Sequence, residues 1–431
     1  MKNCAIEQRQ FAEFIDGLLT KAIRKGLTSF DEILCSLPGV YPSEALASLH
    51  RLAAQGKIPK KIHLDAIKFT SSKQYKQTTS PSPKYKTTGR ILLPVPHPLD
   101  FDWRFGYKAI DYLLKRCLEL TEPKDCVVLL GTPSVMARAV EINFPRKMIL
   151  CEGNQAVTDS LMPLATNGSV HCCDLTADEL PQISAKTVIC DAPWYMEYIK
   201  SFLWSACQFC AIGGHLLLSV PPVGTRPNAS QQWKFILEWA TGLGLRLLKI
   251  EHGILPYVSP PFERNSLKAE GLHNIPGEWR RSNLALFIRE NRADIPRPPK
   301  CPIDKNWCEE TFQDVRIRFR VRDNAEFENP TLRSIISGDI LTSVSRWDER
   351  RKLVDVWTSG HRVFKCDNPT LLFQIAKSIG QNHSVKERVT DFLGRRLTRE
   401  EADLVAKASK QIINIINSEK NEYVTYWKEI S

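Results

Sequence analysis

The chain has 431 residues, 43% of them hydrophobic, and a formal net charge of +11. This length exceeds what one hydrophobic core ordinarily supports, so we expect two or three globular domains. No window approaches the roughly 18 uninterrupted apolar residues of a membrane span, which excludes a membrane-spanning protein. The positive charge indicates anionic partners such as nucleic acid or a phosphorylated ligand.

The N-terminus and the cysteines indicate a reduced, intracellular environment. Met1-Lys2-Asn3-Cys4 lacks the apolar core of a signal peptide, so we expect a cytoplasmic protein without a membrane partner. The 13 cysteines are an odd number scattered through apolar runs, as expected of free thiols. Cys207 and Cys210 form the one CxxC motif, but no second pair has zinc-ribbon spacing, so we predict no metal site.

Residues 1–70 are predicted to form a winged helix. Three helical patterns cover 8–25, 29–36 and 42–54, and two short wing strands are expected within 58–70. The third helix could enter a DNA groove, but its side chains are poor base readers. Contact with nucleic acid therefore stays open beside a role in protein interaction or homodimer formation.

Residues 71–90 are predicted to be a flexible basic linker. The segment SSKQYKQTTSPSPKYKTTGR contains no acidic residue and little apolar mass. It cannot build a core, so the first domain boundary is expected here.

Residues 91–295 are predicted to form an α/β domain. Apolar strands alternate with helical patterns, as in βαβ units that build a mainly parallel sheet covered on both faces. The seven predicted strands are Cys126–Gly131, Met148–Glu152, Val170–Asp174, Thr187–Asp191, His215–Val220, Leu245–Glu251 and Asn283–Arg289. This pattern resembles the seven-stranded, Rossmann-like class I S-adenosylmethionine-dependent methyltransferase fold.

Residues 300–431 are predicted to form a C-terminal α+β domain whose role the sequence does not indicate. It follows a proline-rich junction and ends in a helix over 398–420. Between 315 and 322 apolar residues alternate with Arg316, Arg318, Arg320 and Arg322. This period of two places the four guanidinium groups on one strand face, which requires anions. A phosphate-bearing or acidic partner could supply them, and so could acidic side chains of neighbouring elements.

Residues directly after the strands of such a sheet are candidates for ligand binding. The first strand ends at Gly131, the only glycine of its turn, which is too few for a pyrophosphate but suits a sulfonium cofactor. Glu152 follows 21 residues later, at the spacing of an acid that holds ribose hydroxyls, and Asp174 is placed to contact an adenine amine. We therefore predict that S-adenosylmethionine or its decarboxylated form is the cofactor.

The fourth predicted strand ends in Asp191-Ala192-Pro193-Trp194-Tyr195. A carboxylate followed by two aromatic rings suits chemistry on an amino nitrogen, because the acid accepts the amine's hydrogen bond while the rings hold a flat or cationic acceptor. We predict Asp191, Trp194 and Tyr195 as the catalytic residues.

Several of these motifs together resemble the branched-chain polyamine synthases, the N4-bis(aminopropyl)spermidine synthase family. The resemblance covers roughly residues 90 to 265 and consists of 97–102, the Leu130-Gly131 turn, 145–147, 173–175, the Asp191 segment, Trp233 and Tyr257-Val258. It implies a decarboxylated S-adenosylmethionine donor and a polyamine acceptor, with Asp191 near the attacking nitrogen. The family's acidic run after the first glycine is replaced here by Thr132-Pro133-Ser134.

The segment beginning at Asp191 also resembles the Asp-Pro-Pro-Trp motif of amino-methyltransferases that act on adenine or cytosine. There the acid orients an exocyclic amine and the aromatic ring stacks on an extruded base. In this chain Ala192 replaces the first proline.

The leading hypothesis is an alkyltransferase that transfers an aminopropyl or methyl group from a sulfonium donor to an amino nitrogen. Glu152 and Asp174 hold the donor in this hypothesis, and Asp100 or Asp102 closes the edge of the pocket. One alternative is a nucleic-acid amino-methyltransferase. Another is a degenerate transferase fold that binds nucleic acid or serves as a scaffold.

Overall fold

In the computed structural model, the described residues are 2–71, 91–301, 306–323 and 326–430. They belong to two compact units, each assembled from three chain segments. The first unit comprises Met1–Pro94, Trp103–Ser259 and Leu272–Cys301, and the second comprises Val95–Asp102, Pro260–Gly271 and Pro302–Ser431. The predicted linker lies outside the described residues, apart from Ser71.

The first unit begins with four helices. They are α1 (Lys2–Arg24), α2 (Phe30–Ser36), α3 (Pro42–Ala54) and α4 (Lys60–Ser71). The two predicted wing strands are therefore wrong, because residues 60–71 form a helix. Ile62, Ala66 and Phe69 recur at helical spacing and are buried in one core with the other helices.

The central sheet of the first unit has eight strands. They are β1 (Arg104–Phe105), β2 (Cys126–Leu130), β3 (Lys147–Glu152), β4 (Gly168–Cys172), β5 (Ala185–Cys190), β6 (Cys210–Val220), β7 (Leu245–Val258) and β8 (Arg281–Arg289). The predicted count of seven strands was thus one too low. The additional strand is β1, a two-residue segment that pairs antiparallel with the end of β7.

The strand order is β1-β7-β8-β6-β5-β2-β3-β4. Strands β4, β3, β2, β5 and β6 are parallel, whereas β8 pairs antiparallel with both β6 and β7. The chain runs outward from β2 through β3 to β4 and then returns to β5 on the other side of β2. The carboxyl ends of β2 and β5 therefore flank the switch in strand order, where α/β sheets form a ligand crevice.

Helices cover both faces of this sheet, as predicted for its parallel part. They are α5 (Tyr107–Leu120), α6 (Pro133–Glu141), α7 (Gln155–Leu161), α8 (Met196–Phe209) and α9 (Ala229–Gly242). Alternate β2 residues serve two cores: Val127 and Leu129 pack with α5, α6 and α7, whereas Val128 and Leu130 pack with α8 and α9. This double burial explains why the strands are almost continuously apolar.

The second unit combines helices with an antiparallel sheet. Its helices are α10 (Pro261–Ala269), α11 (Pro369–Gly380), α12 (Val385–Leu393) and α13 (Arg399–Ile430). Its strands are β9 (Trp307–Phe312), β10 (Val315–Arg320), β11 (Arg333–Ser334), β12 (Val356–Thr358) and β13 (Val363–Lys365), in the order β11-β13-β12-β10-β9. Val315, Ile317 and Phe319 of β10 are fully buried in a core with α11, α12 and α13.

Among the helices of the described residues, none combines the length and the apolar character needed to cross a bilayer.

Candidate active site

The carboxyl ends of β2 and β5 meet at the switch in strand order. The Asp191 N–H donates to the Leu130 carbonyl at 3.1 Å, and the Gly131 N–H donates to the Cys151 carbonyl, also at 3.1 Å. These bonds continue the parallel register by one residue beyond each strand. The structure thus brings together Gly131 and Asp191, which the sequence placed 60 positions apart.

Gly131 occupies a position that no other residue fills without strain. Its φ is +64°, and a Cβ added there would lie 2.9 Å from the Asp191 carbonyl oxygen and 3.1 Å from the Phe202 ring. The next residue, Thr132, is 1% exposed, and its buried Oγ1 makes no hydrogen bond with any described residue. A ligand at this turn would therefore meet backbone, not a side chain, at position 131.

Glu152 and Asp174 follow the next two strands, as predicted. Glu152 ends β3 and is half-buried, and its Oε1 accepts from the Asn154 N–H at 2.9 Å. Asp174 lies two residues beyond β4 and shapes a turn, because its Oδ1 accepts from the N–H and the hydroxyl group of Thr176 at 2.8 and 2.7 Å. Its other oxygen lies 4.0 Å from the Lys300 Nζ.

Asp191 is oriented by a buried tyrosine that the sequence analysis did not assign to the site. The Tyr257 hydroxyl group donates to Asp191 Oδ1 at 2.7 Å. Ser219 Oγ lies 2.7 Å from the same hydroxyl oxygen and 3.0 Å from Ser282 Oγ. Burial, followed by the charge of Asp191, raises the pKa of Tyr257 well above its usual value, so the hydroxyl group keeps its proton.

The two aromatic residues after Asp191 each lie next to an arginine. The Arg280 guanidinium is 5.6 Å from the centre of the Trp194 ring, and the Arg226 guanidinium is 5.8 Å from that of Tyr195. Arg226 also donates to the Trp194 carbonyl oxygen. The edge of the Trp194 ring contacts Tyr257, with ring centres 5.8 Å apart.

Neither arginine was identified from the sequence. Arg226 lies between β6 and α9, and Arg280 immediately precedes β8. A signal was present for Arg226, which follows the run Pro221-Pro222-Val223-Gly224-Thr225 at the end of a predicted strand. Arg280 had no such signal, because it reaches Trp194 through the antiparallel pairing of β8.

The residues at the strand ends fit a nucleoside donor that carries no phosphate. Gly131 lets the backbone of the first turn lie close against Asp191, with no side chain between them. Glu152 and Asp174 supply the carboxylates that hydroxyl groups and an amine would require. A pyrophosphate would instead meet the carboxylates of Glu152 and Asp174.

Asp100 and Asp102, predicted at the pocket edge, belong to the second unit, whereas the strand-end residues belong to the first. Asp100 forms ion pairs with Arg316, through Nη1 and Oδ2 at 2.8 Å, and with Arg318. Burial opposes its ionisation, but the charges of Arg318 and Arg316 outweigh it and lower the pKa of Asp100. The structure thus gives Asp100 a role in the core of the second unit.

Arg316 and Arg318 of β10 have anionic partners within the second unit. Glu309 of β9 lies 2.7 Å from the Arg316 Nε and 2.6 Å from the Arg318 Nε. Arg320 stacks on Trp307, with 4.8 Å between the guanidinium carbon and the ring centre. Arg322 lies beyond the end of β10 and pairs with Asp355. The sequence left open whether a partner molecule or acidic side chains of neighbouring elements supply the anions, and the structure shows acidic side chains of neighbouring elements.

No protein-family model matches the chain, and no curated protein matches it. Among solved structures it is similar to the branched-chain polyamine synthase of Thermus thermophilus in complex with N4-aminopropylspermidine and 5'-methylthioadenosine. That match has 13% identity and a TM-score of 0.47, and covers 67% of this chain and 90% of the other. For the C9 mutein of the same enzyme the identity is 14%, the TM-score 0.49 and the coverage 68% and 95%.

An S-adenosylmethionine-dependent, TehB-like methyltransferase from Corynebacterium glutamicum is also similar, with 11% identity, a TM-score of 0.30 and coverage of 42% of this chain and 88% of the other. These likenesses concern the fold alone. The donor, the acceptor and the reaction do not follow from them.

Proposed function

We propose that the chain is a transferase that moves an alkyl group from an S-adenosylmethionine-type donor to an amino nitrogen. The observation that carries this proposal is the junction at the switch in strand order, where the Gly131 backbone lies close against Asp191 and Tyr257 orients the Asp191 carboxylate. A purely structural strand end has no need of a buried tyrosine directed at a half-buried carboxylate.

Gly131, Thr132, Glu152 and Asp174 would hold the donor in this proposal. A bound donor supplies an alkyl carbon that its sulfonium group makes electrophilic. The chain's own task is then to align the amine with that carbon and to exclude water, which can lower a barrier by about 7–11 kcal/mol. The buried cores on both faces of β2 and β5 keep these strand ends rigid enough for that alignment.

Asp191 would accept a hydrogen bond from the amine and then its proton. Transfer forms a nitrogen–carbon bond and breaks the carbon–sulfur bond, whose electron pair remains on sulfur, so the alkylated amine has one proton to lose. The carboxylate also stabilises the positive charge that develops on nitrogen. Tyr257 keeps one carboxylate oxygen in place, because its hydroxyl group donates to Oδ1.

Donor binding is the first test. Titration calorimetry of the full chain with S-adenosylmethionine, its decarboxylated form and the product thioether nucleosides is expected to detect at least one ligand. Mass spectrometry of any ligand carried through purification distinguishes the two donors without knowledge of the acceptor. Binding of none of these compounds would contradict the proposal.

Substitutions at Asp191 and Tyr257 test the chemistry. Asp191→Asn is expected to lower the rate of transfer at least about 100-fold, since it removes the proton acceptor, while donor affinity stays within threefold. Tyr257→Phe is expected to lower the rate roughly tenfold, because one hydrogen bond to a charged group is lost.

Tyr112→Phe is the matched control, because the Tyr112 hydroxyl group donates to the Glu251 carboxylate away from these strand ends. The readout is release of the thioether nucleoside from labelled donor. Full activity of the Asp191→Asn enzyme, or equal losses in the two tyrosine variants, would assign Asp191 and Tyr257 to structure instead.

A further inference from the structure

The Trp194 and Tyr195 rings, which are expected to bind the acceptor, each lie next to a guanidinium group. Arg280 lies 5.6 Å from the Trp194 ring centre and also 5.4 Å from that of Trp103. Arg226 lies 5.8 Å from the Tyr195 ring centre. All three distances are within the range of cation–π contacts. The cation positions on these rings are therefore filled by the protein itself.

This arrangement disfavours binding of a polyamine acceptor. Its ammonium groups would need the ring faces that the arginines contact, and they would be repelled by the positive charge of Arg226. The turn after β2 offers no compensation, since it reads Thr132-Pro133-Ser134 and contains no carboxylate. The net charge of +11 acts in the same direction at long range.

Arg226 is a cation whose contacts with the described residues are to uncharged groups. Its Nε donates to the Gln232 side chain at 2.8 Å, and its Nη2 donates to the Trp194 carbonyl oxygen. Within the described part of the chain, no carboxylate pairs with it. A guanidinium group has five N–H donors, so these two bonds leave three for a ligand. Because Arg226 is partly desolvated, an anion placed against it would be held more strongly than in water.

We propose that the amine accepted at this site is carried by a phosphate-bearing molecule, a nucleotide, and that Arg226 and Arg280 bind it. This inference rests on the function proposed above. A planar guanidinium binds phosphate oxygens through paired N–H groups, and its outer face stacks on a flat base. Asp191 then orients the exocyclic amine of that base.

Binding of matched ligands tests the inference without requiring turnover. The full chain is titrated with adenosine 5'-monophosphate, adenosine, spermidine and a single-stranded 20-nucleotide adenine oligomer. We expect the monophosphate to bind at least tenfold more tightly than adenosine and than spermidine. A further tenfold gain for the oligomer would identify nucleic acid as the source of the phosphate, whereas equal affinity would identify the free nucleotide.

Variants localise the phosphate contact. Arg226→Gln and Arg280→Gln are each expected to weaken monophosphate binding by roughly ten- to a hundredfold, the effect of losing a charged hydrogen bond, while adenosine binding changes little. Arg226→Lys keeps the charge and should recover part of the affinity. The control is Arg246→Gln, since Arg246 pairs with Glu290 at the surface, with 55% and 48% of the two side chains exposed.

Two results would overturn the inference: spermidine binding as tightly as the monophosphate, or monophosphate binding that neither Arg226→Gln nor Arg280→Gln weakens. Circular dichroism confirms that each variant is folded. Failure of donor binding would contradict the transferase proposal but not the nucleotide site, which the titrations measure separately. Donor binding together with a preference for spermidine would support the transferase proposal and contradict the nucleotide site.

Discussion

Gly131 is the residue at which the sheet constrains the candidate site most closely. Gly131→Ala is expected to destabilise the protein twice over, because alanine is disfavoured at a φ of +64° and its Cβ would lie 2.9 Å from the Asp191 carbonyl oxygen. The first effect costs about 1–2 kcal/mol and the forced displacement about 1–3 kcal/mol more. Urea denaturation gives the loss, and calorimetry should show weakened donor binding.

Gly253→Ala separates these two effects. Gly253 has nearly the same φ, +63°, but a Cβ added there meets no atom of the described residues within 4 Å. The control therefore carries only the conformational cost, and its donor affinity should be unchanged. Equal destabilisation of the two variants would mean that the β2 turn tolerates a side chain and that its close approach to Asp191 does not require glycine.

The strand-end residues of the site could be predicted from sequence because the end of an apolar run marks the end of a buried parallel strand. Gly131, Glu152 and Asp191 each follow an apolar run, and one topological rule gathers the ends of such runs at one edge. Tyr257 and Arg280 could not be assigned in this way. They reach the site through the antiparallel pairing of β7 and β8, which depends on which strands become neighbours.

At the scale of elements, a buried arginine of β10 is paired with a carboxylate from a short segment that is distant in the sequence. Arg316 is 1% exposed and contacts both Asp100 of segment 95–102 and Glu309 of β9. Asp100→Asn is expected to lower the free energy of unfolding by about 3–5 kcal/mol, because it leaves a buried cation with one partner fewer.

Glu290→Gln is the matched control for this variant. It also removes one carboxylate from an arginine pair, but at an exposed position, and should cost less than about 1 kcal/mol. Chemical denaturation monitored by circular dichroism measures both. A loss of similar size in the two variants would mean that the Asp100 cluster is as well hydrated as a surface pair.

Sequence periodicity distinguishes strand from helix for some elements and leaves the choice ambiguous for others. Residues 126–130 are continuously apolar, and residues 187–190 read Thr-Val-Ile-Cys, a run rich in β-branched side chains, so both runs were predicted as strands. Residues 58–70 mix lysines with isolated apolar residues, and this pattern fits two short strands or one helix. Packing decided in favour of α4, since only a helix buries Ile62, Ala66 and Phe69 together.

At the scale of the whole molecule, two fully buried histidines make the stability of the second unit depend on pH. Both are neutral in the folded chain: burial lowers the pKa of His361 to about 4, and burial with the charges of Arg318 and Arg316 lowers that of His97 well below its usual value. His361 Nδ1 accepts from the Trp357 indole N–H at 3.3 Å, a bond that protonation would break.

Because these pKa values are lower in the folded than in the unfolded chain, the stability they contribute is complete above pH 6.5 and is lost as the pH falls toward 4. We expect the free energy of unfolding to decrease by about 2 kcal/mol per histidine between pH 7 and pH 5. His361→Asn should remove about half of this dependence in urea denaturation followed by tryptophan fluorescence. His383→Asn, at an exposed position, should leave it intact; an unchanged slope in His361→Asn would contradict the assignment.

The interleaving of the two units has a consequence for biosynthesis. Asp100 leaves the ribosome long before its partner Arg318, which follows 218 positions later in the chain, a delay of roughly 10–45 s at ordinary translation rates. All three segments of the first unit have been synthesised by Cys301, whereas 95–102 and 260–271 still lack the strands they join. The second unit therefore completes its folding last, and a chain truncated near residue 301 lacks all the described strands of that unit.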